Sequence, residues 1–364
     1  MSNNLLRENK ILISINFENS KGGISRVARL MAEAIIFDKV LSLHGKCKES
    51  KVKYHNKNSF HFIFNFLRAI IIDKPKLLVF DHVGPASLLA LIPNFFLKKM
   101  KIVIFLHDEE AWSKVSIRHH SGLTKATHIL CNSNYTFNKF VNSNPEFLFK
   151  TKVCLLAGVP NRFSQDLEPT KNPMLLTWFN NVNPYCLFVS RLWKEHRYKG
   201  YFELIKAYML YYKNNPKPFL RLAIVGNGND VDEIKNYISE NNLQNIVKVF
   251  TNISDTDLIL FYKNCYNLLF PSIREGFGFV FLEAMYFSKA CIGIKDQPAE
   301  EIITSESGIL LEDNNAESLL VVLEDMCINV EKYVNYGIEG KKIYNSKFMN
   351  KHFVERFTQS ISNN

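Results

Sequence analysis

The chain has 364 residues, 47% of them hydrophobic, and a formal net charge of +10. That length and apolar content suit a large folded protein of about two domains and exclude a disordered chain. The charge is lopsided: residues 1–165 hold 24 Lys and Arg against 11 Asp and Glu, while the remainder holds 21 against 24. In chain order, apolar runs at 11–17, 77–81, 102–106, 129–132 and 153–156 alternate with helical stretches, the sign of a parallel α/β sheet. The segment 160–184, with Pro169, Pro173 and several asparagines, breaks that rhythm and reads as a connection. A second series follows at 186–190, 220–225, 246–250, 268–270, 291–294 and 308–311. Two doubly wound domains with a cleft between them are the expected architecture.

Open α/β sheets place ligands outside the carboxyl ends of their strands, so polar residues just after strands carry most information. After the first strand comes Lys21-Gly22-Gly23-Ile24-Ser25-Arg26, which opens a helix. His107 ends the strand 102–106 and is followed by Asp108, Glu109 and Glu110. Adjacent residues in a turn seldom converge on one ion, so these do not read as a metal cluster. Arg191 follows the strand 186–190, and Lys199 sits in Arg197-Tyr198-Lys199-Gly200. Gly226-Asn227-Gly228 ends another strand; such a pair marks either a nucleotide turn or an ordinary tight turn. Asp255-Thr256-Asp257 invites a divalent-metal reading, but Ser254 before it and the apolar residues after it make these carboxylates a cap and a first helical turn.

The most informative stretch is 271–285, Pro-Ser-Ile-Arg-Glu-Gly-Phe-Gly-Phe-Val-Phe-Leu-Glu-Ala-Met. It leaves a short apolar strand, turns on Gly276 and Gly278, and enters a helix. Backbone N–H groups at a helix start lack intrahelical partners, and the helix dipole adds positive potential, so glycine there makes an anion cradle. Glu275 and Glu283 flank it, and a carboxylate accepts two hydrogen bonds from a vicinal diol. A phosphate between two diols describes a sugar nucleotide.

Together these residues resemble the E-x7-E motif of retaining glycosyltransferases of the GT-B fold, specifically glycosyltransferase family 4. The resemblance implies an α/β, GT-B architecture: two doubly wound Rossmann-like domains facing across a cleft. Residues 1–165 would bind the acceptor, 166–184 link, 185–345 bind the nucleotide sugar, and 346–364 form a terminal helix returning to the first domain. By the same resemblance Glu275 would hold the donor sugar, Glu283 the ribose, and the N–H groups of Phe277, Gly278 and Phe279 the diphosphate. Arg191 and Lys199 would clamp the leaving diphosphate. Gly22 and Gly23 would let donor and acceptor approach the backbone, His107 would stand by the sugar, and Gly226 and Ile253 would line the nucleotide pocket. The chain departs from the pattern at Asp108, where a glycine often follows the histidine, and in its long asparagine-rich connection.

The activity so implied is metal-independent, retaining transfer of a hexose from a nucleoside-diphosphate sugar to a glycan or polyprenyl-diphosphate-linked acceptor, in bacterial O-antigen, capsule or lipopolysaccharide synthesis. No cofactor is expected. The alternatives are a nucleotide-sugar epimerase of the same architecture, which would turn over its donor without acceptor, and a non-catalytic sugar-nucleotide-binding protein. Seven cysteines, odd in number and without C-x-x-C spacing, read as reduced thiols of a cytoplasmic protein. No secretory leader is visible, and the most apolar run, 60–72, is shorter than a membrane span and contains Asn65 and Arg68. The basic first half, with Lys98, Lys99 and Lys101, suits either a solvated surface or peripheral contact with an anionic membrane. Nucleic acid is not expected, because aromatic and basic residues are not interleaved as in RNA-binding modules.

Overall fold

The structure, a computed structural model, describes residues 9–17, 22–44, 54–55, 59–158, 170, 172–215 and 219–362. Lys21, Cys47, Pro160 and Pro169 lie outside the described residues. The chain divides into two compact units, residues 1–157 with 350–364, and residues 158–349.

The first unit carries β1 (Lys10–Asn16), β2 (Lys39–His44), β3 (Tyr54–His55), β4 (Leu77–Phe80), β5 (Lys101–Leu106), β6 (His128–Cys131) and β7 (Thr151–Val153). They form one parallel sheet in the order β3-β2-β1-β4-β5-β6-β7. Side chains alternate across a strand, and here both faces are buried, as a parallel sheet with helices on each side requires. Ile11 and Ile13 of β1, with Leu78 and Phe80 of β4, meet Phe62, Phe66, Leu89 and Leu123 on one face. Leu12, Val79, Val103 and Leu130 point the other way and are equally buried. The helix Gly23–Ala34 packs against β1 and against the terminal helix Asn350–Ser362. That terminal helix is fastened to the unit by Arg356, whose guanidinium donates to the carbonyls of Leu155 (3.0 Å) and Leu156 (3.3 Å).

The second unit carries β8 (Tyr185–Val189), β9 (Arg221–Val225), β10 (Val247–Phe250), β11 (Leu268–Leu269), β12 (Cys291–Ile294) and β13 (Gly308–Leu311). Their order is β10-β9-β8-β11-β12-β13, again all parallel. Each sheet reverses its strand order once, at β1/β4 in the first and β8/β11 in the second. Loops on either side of such a point diverge and leave a crevice, the usual ligand position in this architecture.

Part of the segment read as a connection is a helix, Pro173–Phe179, belonging to the second unit. Arg221, 4% exposed, explains its position. The guanidinium lies 3.9 Å from the Trp178 ring centre and donates to the carbonyls of Trp178 (3.1 Å) and Asn183 (2.7 Å). Replacing it strands those carbonyls, so Arg221→Ala should destabilise the protein by about 2–3 kcal/mol in urea unfolding. Arg221→Lys should recover little of this, since an ammonium cannot reproduce the planar fork. An unchanged unfolding midpoint in both variants would contradict the assignment.

Candidate functional site

In the second unit the loops after β8 and β11 are held together by backbone. Gly200 has φ +83°, and a Cβ there would lie 2.5 Å from the Pro271 carbonyl oxygen. Both facts exclude other residues. The Ile273 N–H donates to the Tyr198 carbonyl at 3.1 Å, so the segments 197–200 and 271–275 run against each other. Contact at that range brings Lys199 to Glu275: the Lys199 Nζ donates to Glu275 Oε2 at 2.5 Å and to the Arg274 carbonyl at 3.3 Å. Lys199 is 9% exposed and its ammonium also stands 5.6 Å from the Phe270 ring centre. Gln297, not singled out by the sequence reading, accepts from the Glu275 N–H at 3.3 Å and anchors the start of the turn.

The turn then enters the helix Phe279–Tyr286 through Gly278, whose φ of 97° and ψ of 52° are left-handed. Among the described residues, the N–H groups of Phe277 and Gly278 donate to no protein acceptor. They are thus available to an anion at the helix start. Phe277 is buried and meets Phe279 edge-on at 5.4 Å, which fixes the loop's inner side. Glu283, one turn into the helix, is 3% exposed and accepts from the Tyr262 hydroxyl at 2.6 Å.

Arg191 is exposed, and among the described residues its side chain has no protein partner. Arg197 nearby is committed elsewhere: it holds buried Asp230 through two bonds of 2.8 and 2.6 Å, and Tyr201 donates to the same carboxylate. The Arg197 bonds keep the Asp230 carboxyl below its ordinary range. Gly226 and Gly228 have a packing reason to be glycine, since a Cβ would strike the carbonyl oxygens of Ser190 and Leu192 at 1.9 and 1.8 Å. The turn they form is therefore pressed against the Arg191 loop. Asn227 ties it onward, accepting from the Asn252 N–H at 2.7 Å beside Ile253. Asp255 and Asp257 open the helix Asp255–Asn264 behind the cap Ser254, which accepts from the Asp257 N–H at 3.0 Å. Among the described residues no group of three His, Cys, Asp or Glu side chains could hold a metal ion.

The first unit holds a second set of strand-end residues. Gly22 precedes the helix Gly23–Ala34, and the Gly22 carbonyl accepts from the Ser25 hydroxyl at 3.3 Å. His107, at the end of β5, is 5% exposed, and its Nε2 lies 2.5 Å from the Asp81 carbonyl oxygen. Burial lowers the pKa of His107 and pushes His82, stacked on it at 6.0 Å, down to about 4. A neutral His107 must then carry its proton on Nε2, leaving Nδ1 as an acceptor. Glu110 fixes the turn by accepting from the N–H groups of His107 (2.8 Å) and Asp108 (3.2 Å). Asp81 is the residue the sequence reading passed over. Wholly buried at the end of β4, it accepts from Ser14 Oγ (2.5 Å) and the Ile15 N–H (3.0 Å), and so braces the end of β1 at the switch point. A carboxylate directly after an apolar run, at a strand end, was its only signal.

Among solved structures, the fold is similar to that of Anabaena HepE in complex with UDP: TM-score 0.77 at 18% identity, covering 97% of this chain and 99% of that one. HepE has also been solved with UDP-glucose, at the same TM-score. The two helix-flanked parallel sheets thus have the GT-B-like fold. Residues 179–343 match the family model described as "Glycosyl transferases group 1". Among curated proteins, an uncharacterized glycosyltransferase of Methanocaldococcus jannaschii is 26% identical over 58% of each chain. The O-antigen chain mannosyltransferase C of Escherichia coli is 24% identical over 56% of this chain and 59% of its own. The chain thus spans a little under three fifths of the length of these two relatives.

Desolvation raises the Asp81 carboxyl from 3.8 to about 7. Between those values the folded protein keeps a proton that the unfolded chain has lost, so this group's contribution to stability falls as pH climbs from about 4 to about 7. Asp81→Asn removes the titration. The melting-temperature difference, variant minus parent, should therefore rise across roughly pH 5 to 7 and level off above. A pH-independent difference would show that Asp81 ionises normally.

Proposed function

We propose that this protein is a retaining glycosyltransferase that moves a hexose from a nucleoside-diphosphate sugar to a glycan or polyprenyl-diphosphate-linked acceptor in bacterial surface-polysaccharide synthesis. The observation that carries the reading is the Glu275–Gly278 cradle at the β8/β11 switch point, bonded to Lys199, with Arg191 following the neighbouring strand β8. UDP-glucose in the HepE complex and the O-antigen role of the E. coli mannosyltransferase support it. The diphosphate would sit on the N–H groups of Phe277 and Gly278, with Lys199 and Arg191 meeting its charge. Glu275 would take the sugar hydroxyls and Glu283 those of the ribose.

The bond from the anomeric carbon to the diphosphate oxygen breaks, through an oxocarbenium-like transition state. The bond to the acceptor hydroxyl forms on the same face, and its proton passes to the departing diphosphate oxygen. Cations already in place where that charge develops lower the barrier. His107, held neutral, contributes no charge; its Nδ1 would accept a hydrogen bond from a sugar hydroxyl. Transfer is metal-independent on this reading, since Asp255 and Asp257 serve a helix start. The protein would act at the cytoplasmic face of the membrane that carries its acceptor.

Arg191→Ala is the cleanest test, because among the described residues the side chain has no protein partner. Turnover should fall roughly 10²- to 10³-fold while the ligand-free melting temperature stays at the parent value. UDP-, GDP- and ADP-sugars screened by thermal shift would identify the donor, with a ligand at 100 times its dissociation constant adding about 2.7 kcal/mol. Parental turnover in the variant would remove Arg191 from the clamp, and donor turnover without acceptor would favour an epimerase.

Transfer should also persist in excess chelator, and Asp257→Asn should turn over nearly as the parent does. Loss in chelator, restored by magnesium or manganese, would overturn the metal-independent reading.

A further inference from the structure

Lys199 closes one side of the turn at Glu275, and the loop after β12 closes another. β12 is the parallel neighbour of β11, with Leu268 level with Cys291 and the Phe270 N–H donating to the Ile292 carbonyl at 2.9 Å. The loops that follow these two strands therefore leave the sheet side by side. Gln297 is where the second loop reaches the first.

Local rules fix Gln297 in place. Lys295 ends the strand pairing by donating its N–H to the Leu311 carbonyl at 2.8 Å, and Asp296 then turns the chain with a φ of 54°. That left-handed conformation is uncommon outside glycine, and here the Asp296 N–H is held by Glu300 Oε1 at 3.0 Å. Pro298 follows and disfavours the helical region for the residue before it, so Gln297 is extended, with φ −137° and ψ 166°. Pro298 and Ala299 are buried, which anchors the turn in the unit. Gln297 itself is half-buried.

The chemistry of the amide decides which end faces what. A backbone N–H can only donate, so the atom 3.3 Å from the Glu275 nitrogen is the amide oxygen, Oε1. Nε2, which can only donate, is the other end, and among the described residues it has no protein acceptor. Glu275 presents the converse. Its Oε2 takes the Lys199 ammonium at 2.5 Å, while its Oε1 has no protein donor among the described residues. A donor and an acceptor on adjoining residues thus stay unmatched, because Gln297 spends its oxygen on the backbone of Glu275. The Glu275 side chain is only 21% exposed, and an unmet polar group costs more there than at an open surface. A hydroxyl suits both ends, since its O–H donates and its lone pairs accept.

We propose that Gln297 is a specificity-determining residue for the donor sugar: one hydroxyl of the transferred hexose donates to Glu275 Oε1 and accepts from Gln297 Nε2. The inference rests on the reading of Glu275 as the sugar-binding carboxylate and adds a requirement to it. A carboxylate alone takes any hydrogen-bond donor, whereas the pair demands an oxygen that both donates and accepts. A hexose lacking that hydroxyl leaves two half-buried polar groups unpaired, a stronger rejection than a lost apolar contact gives. The diphosphate is met by other groups, so effects on sugar and on diphosphate separate.

The test is titration calorimetry on the full chain. The ligands are the donor selected by thermal shift among UDP-glucose, UDP-galactose, GDP-mannose and ADP-glucose, its 2-, 3-, 4- and 6-deoxy analogues, and its bare nucleoside diphosphate. Gln297→Met keeps the side-chain length and removes the N–H donor. Binding of the intact donor should weaken roughly tenfold, while the bare diphosphate binds as to the parent. At one deoxy position the parent itself should lose on the order of 100-fold, having lost both contacts, and the variant should lose no more than about twofold beyond it. Gln297→Glu restores an acceptor for the Glu275 N–H without restoring the donor, so sugar binding should not recover. Ligand-free melting temperatures of both variants should match the parent.

An equal loss on every analogue and on the bare diphosphate would reduce Gln297 to a brace for the turn and overturn the assignment. Parental binding of the intact donor by the methionine variant, or recovery in the glutamate variant, would overturn it as well. Binding is read without transfer, so a parent that shows this pattern and transfers nothing would count against the transferase reading alone. A parent that binds none of the four donors would overturn both.

Discussion

The close approach of Gly200 to the Pro271 carbonyl is the contact on which the rest of the candidate site depends. It is possible only without a Cβ and with a positive φ, and it brings the chain after β8 onto the chain after β11. Lys199 precedes that glycine and Glu275 follows that proline by four residues, so their ion pair at 2.5 Å is a consequence of the backbone contact. The neighbouring turn is built the same way. Gly226 and Gly228 admit the carbonyls of Ser190 and Leu192, and Asn227 reaches on to Asn252. Three strand ends are thereby held by backbone, while Arg191 stays exposed with no protein partner among the described residues.

The first unit solves the corresponding problem with buried polar side chains. Asp81 braces β1 through Ser14 and Ile15 and fixes the His107 ring through its own carbonyl, while Asn132 donates to the His107 carbonyl at 2.6 Å. A buried carboxyl is costly unless its lone pairs are satisfied. Here two donors reduce that cost, and what remains of it is the upward shift of its pKa. In the second unit the polar groups are charged instead: Lys199 pairs with Glu275, and Arg191 has no protein partner among the described residues.

Much was legible in the sequence because it rests on local rules. Apolar runs of three to seven residues separated by helical stretches dictate parallel strands, and ten of the thirteen strands among the described residues fall on or within a residue of the runs read from sequence. The exceptions are instructive. β2 is broken by Ser42 and bounded by Lys39 and His44, β3 is two residues held by backbone pairing to Leu41 and Ser42, and β7 begins two residues before the run at 153–156. The cap at Ser254 and the glycine turn at 276–278 were readable for the same reason, since helix starts and left-handed positions are set by neighbours in sequence.

Tertiary structure decided what local rules cannot. The sequence marked Gly226 and Gly228 as a turn, but only packing shows that carbonyls of another loop demand glycine there. It marked 60–72 as apolar, but the helix had to meet the sheet before Phe62, Phe66 and Ile70 became core and Phe60, Phe64, Ile71 and Ile72 became surface. Asp81 appeared as the last residue of a strand, and its role depends on Ser14, 67 residues earlier. The sequence by itself thus determined which elements form and which residues could carry the chemistry, because those follow from residue type and spacing. Which of them touch, which are spent on the fold and which remain for a ligand was settled by contacts between residues far apart in the chain.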